Sequence, residues 1–161
     1  MNHRHSAAND ARHLVPASAR LASAAKDALI ASGEAWTPLR ASVFDALATF
    51  DAPASAYEIT DAVSRAAGRR LTANSIYRIL DLFTATNVAT RVESRNAFIV
   101  NVHPLQRRDC ILLVCDGCGS TGHIDDAAAV DGLRAVVDAT GFTVDRPVIE
   151  MRGRCGPCTA A

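Results

Sequence analysis

Five cysteines stand in this chain of 161 residues, and four of them fall into two pairs, Cys115-Asp-Gly-Cys118 and Cys155-Gly-Pro-Cys158, with 36 residues between the pairs. A two-residue gap holding Gly or Pro makes a tight turn that aims both sulfurs at one ion. Two such turns complete a closed tetrahedral zinc site of four thiolates, which leaves no coordination position for water or substrate and is therefore structural and not catalytic. The competing reading is a dithiol redox pair, which calls for one Cys-x-x-Cys at the start of a helix in a βαβ unit; neither pair opens an evident helix. An iron–sulfur cluster is a third reading. Cys110 stands outside the pairs and reads as a small buried hydrophobe flanking a strand.

The surrounding composition is that of a folding chain: 49% hydrophobic residues, 21% charged, and a mean hydropathy of +0.09. No apolar run approaches the ~20 residues that span a bilayer, and the first residues lack the apolar stretch of a secretory signal. The expectation is a cytoplasmic protein with no membrane partner, where thiols stay reduced and paired cysteines point to metal before disulfides. Formal net charge is zero, with 11 basic against 9 acidic residues in 1–96 and 6 against 8 in 97–161. Any affinity for nucleic acid must come from a few placed side chains and not from a basic field.

These chemistry-bearing residues need a scaffold, and the pattern supplies two units after a tail. Residues 1–18, with His3, His5 and His13 among small polar residues, read as a flexible tail. In 19–103, Leu21, Ala25, Ala28 and Leu29 make a helical stripe closed by Gly33. Thr37-Pro38 caps a second helix carrying Leu39, Val43, Phe44, Leu47 and Phe50. Ser55-x-x-Glu58 is a capping box for a third, ending near Gly68. A fourth, from about Thr72, turns Ile76, Ile79, Leu80 and Phe83 inward and leaves Asn74, Ser75, Tyr77, Arg78 and Asp81 on other faces. Period-two runs at Val88, Thr90, Val92 and at Phe98, Val100, Val102 flank Glu93–Asn96 as a hairpin. Short helices followed by a hairpin is the order of a winged helix-turn-helix, and equally of a helical α+β domain with no DNA role.

In 104–161, Ile111–Val114 reads as a strand, Ala127–Thr140 as a helix with Val130, Leu133, Val136 and Val137 inward, capped by Asp125 or Asp126 and ended by Gly141, and Val148–Met151 as a strand. So small an αβ unit buries little surface alone and calls for a metal, a partner, or both. The fold class is α+β. No nucleophile–base constellation marks an enzyme, and no small-molecule substrate is expected.

Taken in order, Thr37-Pro38-Leu39-Arg40, Ala56-Tyr57-Glu58-Ile59, Asn74-Ser75-Ile76-Tyr77-Arg78-Ile79-Leu80-Asp81, Val92-Glu93-Ser94 and the two cysteine pairs resemble the ferric uptake regulator family, most closely its zinc uptake regulator branch, from about Leu21 to Cys158. The resemblance implies a winged-helix DNA-binding domain joined to an αβ dimerisation domain, a homodimer on a pseudo-palindromic operator, and repression of metal-uptake genes. Carried over, Tyr77 touches a base, Ser75 and Arg78 contact phosphate, Asn74 is a further base reader, and Arg40 of the Thr-Pro motif joins the DNA-binding set. An aromatic face suits a thymine methyl and a guanidinium suits phosphate.

Departures from the family pattern concern a second, exchangeable metal at the hinge between domains. Where zinc-responsive relatives place ligands, this chain has Thr90, Asn101, Arg108 and His123, and Gln106-Arg107-Arg108-Asp109 replaces the usual His-x-His. Two accounts stay open. A sensor is rebuilt from His103, Cys110 and His123, with Glu93 or Asp125; or it is lost, leaving a regulator that is constitutive or answers to thiol oxidation at Cys110. A zinc-binding dimeric adaptor that reads no DNA is a further alternative. Ala35-Trp36 occupies the place of a basic residue that relatives carry before the Thr-Pro motif, and Trp36 is expected to pack against the domain. One structural Zn2+ per protomer is expected, with a second, regulatory ion open.

Overall fold

Caps decide where the helices of the first half begin and end. The computed structural model describes residues 18–106, 109–145 and 147–160; the tail residues 1–17 with His3, His5 and His13, and Arg107 and Arg108, lie outside them. Helix α1 (Ser18–Ala31) brings Leu21, Ala25, Ala28 and Leu29 into the core, and the chain leaves it through Gly33 at φ +81°. Helix α2 (Pro38–Leu47) starts at Thr37, whose hydroxyl accepts the Arg40 N–H. Helix α3 (Ala56–Ala67) opens on the reciprocal box: Ser55 Oγ accepts from the Glu58 N–H and the Glu58 carboxylate accepts from the Ser55 N–H. The Ser55 hydroxyl, which donates to the same carboxylate at 2.7 Å, together with the Ser55 N–H holds the Glu58 carboxyl below the usual glutamate range. Gly68 ends α3 in the left-handed conformation. Helix α4 (Ala73–Ala85) buries Ile76, Ile79, Leu80 and Phe83.

Strands β1 (Ala89–Val92) and β2 (Ala97–Val100) pair antiparallel around a 3-10 turn at Glu93–Arg95, with Val92 opposite Ala97. Val102, expected in the second run, falls beyond the strand. Two hydrogen bonds between Ala54 and Phe98 tie this hairpin to the segment before α3. The hairpin faces two ways: Ala89 and Phe98 belong to the core formed by the four helices, whereas Val92 is buried with Leu112 and Val114, and Ile99 packs there too. The strand period of two delivers alternate residues to the two cores.

Strand β3 (Ile111–Cys115) is the centre of a three-stranded sheet ordered β4-β3-β5. It pairs antiparallel with β4 (Thr121–Ile124) and parallel with β5 (Ile149–Gly153), Cys115 opposite Gly153. The parallel pair needs a crossover, and α5 (Ala127–Asp138) provides it, its first turn capped by the Asp126 side chain accepting the Ala129 N–H at 3.0 Å. One expectation is corrected here. Of the four α5 residues read as inward, Val130 is buried and Val137 half-buried, but Leu133 and Val136 are 47% and 68% exposed. A helical stripe shows only that one face is apolar, not that its own chain covers it. A short helix, α6 (Gly156–Thr159), closes the described chain. Among the described residues, no helix is long and apolar enough to cross a membrane.

Candidate metal centres and nucleic-acid face

The parallel pairing of β3 with β5 brings the two cysteine turns to the same end of the sheet. Cys115 ends β3, and the Asp116 N–H donates to the Gly153 carbonyl at 2.7 Å, just before Cys155. Arg152 then grips Asp116 Oδ1 through Nε and Nη2 at 3.1 and 2.8 Å. All four sulfurs lie within 4.8 Å of one another, and Cys118 Sγ and Cys155 Sγ are 3.7 Å apart. Tetrahedral zinc with its usual bonds to sulfur places neighbouring sulfurs about 3.8 Å apart. The cluster fits that ion.

Local backbone supports the same reading. A Cβ at Gly117 would come 3.0 Å from both Cβ and Sγ of Cys158, so any larger residue in the turn would press on that cysteine and push it by a few tenths of an ångström. Backbone N–H groups, chiefly those of Cys118 and Cys155, hold the Cys115 thiol down to about 6, and the Cys155 N–H to Cys115 Sγ distance is 3.3 Å. Ser120 lowers Cys118. Cys158 is pushed up to about 12 by the sulfurs of Cys155, Cys118 and Cys115 crowding it. Four thiols packed this closely resist ionising together unless a cation takes the charge. The second pair does sit at a helix start, since Cys155 is the N-cap of α6, which corrects the expectation that neither pair opens one. That helix is a single turn, and convergence of both pairs on one point is what a lone redox dithiol lacks.

A second group forms where the loop after β2 meets β4. His103, His123 and Asp125 bring one ligand atom each within 4.8 Å of the others; His123 Nε2 is 3.5 Å from Asp125 Oδ2, and the two imidazoles meet edge to face at 5.8 Å. Asparagines position the loop. Asn87 Nδ2 donates to the carbonyls of His103, Pro104 and Gln106, and Asn101 donates to the Asn87 carbonyl while accepting the His103 N–H. Asn101, at one of the positions where the family resemblance places a ligand, is thus a brace. Cys110 and Glu93 lie outside the group. Burial pushes the Cys110 thiol up, and the Glu93 carboxylate pairs with Arg91 at 3.1 Å.

Helix α4 carries Asn74, Ser75, Tyr77 and Arg78 together. Asn74, Ser75 and Arg78 are exposed and Tyr77 is half-buried. Ser75 Oγ lies 2.8 Å from Thr72 Oγ1. The Tyr77 ring meets Tyr57 of α3 edge to face at 6.2 Å, and Tyr57 is itself 66% exposed. Tyr57, part of the Ala56–Ile59 motif, carries no site role in the sequence pattern, because only the packing of α3 on α4 sets it beside Tyr77. Arg40 stands in the first turn of α2. It is held to the segment between α1 and α2 by Glu34 at 3.0 Å and by the Ala35 carbonyl. Trp36 packs inward against Phe44 and Phe83, at 5.7 and 6.1 Å between ring centres.

Against known proteins, the profile of the ferric uptake regulator family matches residues 31–152. No curated protein matches the chain. Among solved structures, holo XcZur is similar at 32% identity over 90% of this chain and 100% of that one, with a TM-score of 0.79. A zinc uptake regulator complexed with zinc and DNA is 23% identical over 90% of this chain and 97% of that one, TM-score 0.82. The Helicobacter pylori ferric uptake regulator, at 16% identity over 90% and 95%, TM-score 0.55, shares the fold.

Proposed function

Because the chain belongs to the ferric uptake regulator family, we propose that it is a zinc-uptake-type transcriptional repressor that binds DNA as a homodimer and is governed by metal. The observation that carries this reading is the outward face of α4, where Asn74, Ser75, Tyr77 and Arg78 line one helix ahead of a hairpin. A helix so placed can enter a major groove, with Tyr77 against a thymine methyl, Asn74 on a base edge, and Ser75 and Arg78 on phosphate. Arg40, held at the start of α2, is assigned to the backbone at the margin of the same site.

Dimerisation is supported by apolar surface left open in 104–161. Leu113 and Met151 are register partners on β3 and β5 and are both exposed, as are Leu133 and Val136 on α5. A second copy across a two-fold axis would cover such a face and would match a pseudo-palindromic operator.

Two ions are assigned to each protomer. Cys115, Cys118, Cys155 and Cys158 hold a structural zinc, which ties the ends of β3 and β5. His103, His123 and Asp125 hold a regulatory ion: three protein donors leave a position open, as an exchangeable site needs. Zinc at this second site links the loop after β2 to β4 and so joins the DNA-facing half to the sheet. The test is fluorescence anisotropy with promoter DNA of zinc-uptake genes. Tyr77→Ala is expected to weaken specific binding about 10- to 100-fold, and His123→Ala to abolish its dependence on added zinc while the thiolate-bound zinc is retained. Unchanged affinity in Tyr77→Ala would remove its role, and retained zinc dependence in His123→Ala would remove the second site.

A further inference from the structure

The turn of the hairpin is fastened to the zinc-bearing sheet by contacts that belong neither to the metal clusters nor to the α4 face. Glu150 of β5 sends its carboxylate to two consecutive backbone donors of the 3-10 turn, the Glu93 N–H at 2.5 Å and the Ser94 N–H at 3.1 Å. The first N–H groups of a helical turn have no acceptor inside it, so Glu150 acts as a cap supplied from more than fifty residues away in sequence. In the opposite direction Arg95 Nη2 donates to the Cys115 carbonyl at 2.9 Å, and its guanidinium passes over Gly119. Between these two polar arms Val92 is buried against Leu112 and Val114.

We propose that Glu150 and Arg95 form a latch that fixes the hairpin to the lobe carrying the four cysteines and so sets the orientation in which α4 is presented to DNA; Glu150 is a positioning residue for binding. Apolar contact of Val92 with β3 is non-directional and lets the hairpin slide or pivot. A carboxylate accepting from two adjacent N–H groups is directional and charge-assisted, and fixes rotation as well as distance. Arg95 engages the carbonyl of Cys115, so the residue that presents a thiolate to the four-cysteine group also presents the acceptor on which the hairpin is hung. In a two-fold dimer each α4 meets its half-site only if each lobe is held at a defined angle to the axis. The latch supplies that angle. It rests on the regulator reading above, with a readout that does not need DNA.

The test uses full-length, zinc-loaded protein with Glu150→Ala and Glu150→Gln, followed by amide hydrogen exchange of the peptide containing residues 93–95, zinc content, and anisotropy on the same promoter DNA. Glu150→Ala is expected to speed exchange in that peptide and to weaken DNA binding about tenfold, equivalent to ~1.4 kcal/mol, with zinc content and α4 exchange unchanged. Glu150→Gln, which keeps one acceptor oxygen, recovers part of both losses. Arg95→Ala gives the same exchange signature from the other arm. Unaltered exchange in Glu150→Ala, or faster exchange with unaltered affinity, overturns the latch. Failure of the unmodified protein to bind DNA sinks the regulator reading instead, and unaltered exchange would still sink the latch.

Discussion

Among the described residues, the largest fully buried side chains all lie at or before Phe98, where Phe44, Phe83, Leu29, Leu47 and Ile76 share one core with the four helices. Beyond it the buried hydrophobics are Leu112, Val114, Cys115 and Val130, while Leu113, Leu133, Val136, Phe142, Val148 and Met151 are exposed. The first half is stabilised chiefly by hydrophobic burial among its own helices and hairpin, with only Val92 and Ile99 turned to the second half's small core. The second is a sheet and a helix of similar regularity with too little interior of its own, and its stability must come from outside: from an ion at one end and a second subunit on its open face. Regular secondary structure is thus no guide to what holds a region together.

The largest perturbation of this contrast is removal of the thiolate-bound metal. A strong chelator, or Cys118→Ser with Cys155→Ser, is expected to withdraw on the order of 10 kcal/mol from the second half. Far-ultraviolet dichroism should then retain the helices α1–α4 while exchange protection on β3 and β5 is lost; protection that survives metal removal would show that the sheet stands on its own core. Next in size is Phe83→Ala, which empties the aromatic centre of the first half and should cost about 3–5 kcal/mol there. A lowered melting transition with unchanged zinc content is the expected result, and coupled loss of zinc would break the division drawn between the halves. Smallest is Val136→Asp on α5. It alters nothing buried in the single chain, so the monomer fold should persist while dimer dissociation rises about 100-fold, ~2.7 kcal/mol, by analytical ultracentrifugation. A dimer of unchanged affinity would place the interface elsewhere.

The same contrast governs what could be read from the residues alone. Helices α1–α4 were legible because their stops are local: Thr37-Pro38, Ser55 with Glu58, and the left-handed glycines Gly33 and Gly68 act within one turn of chain. The four-cysteine group was legible because two short turns fix each pair before the fold brings the pairs together. Strand β4, Thr121-Gly122-His123-Ile124, was not, since four residues, one of them glycine, carry no period and only the ladder to β3 makes it a strand. The exposure of Leu133 and Val136 was hidden for a different reason: periodicity marks an apolar face without saying which molecule covers it. Asp125 was one of several donors in view around His103 and His123, and only tertiary packing separates it from Cys110 and Glu93. Glu150 offered no sequence signal at all, because its partners are backbone groups on a distant turn.

Trp36 is the sole tryptophan of the chain, and it is stacked on Phe83, partly buried against the core of the helical half. Nature has therefore placed a single optical gauge on one side of the molecule. Its emission follows melting of the helices and is blind to disorder confined to the sheet around the cysteines, so an unchanged fluorescence spectrum is no certificate that the ion is still in place.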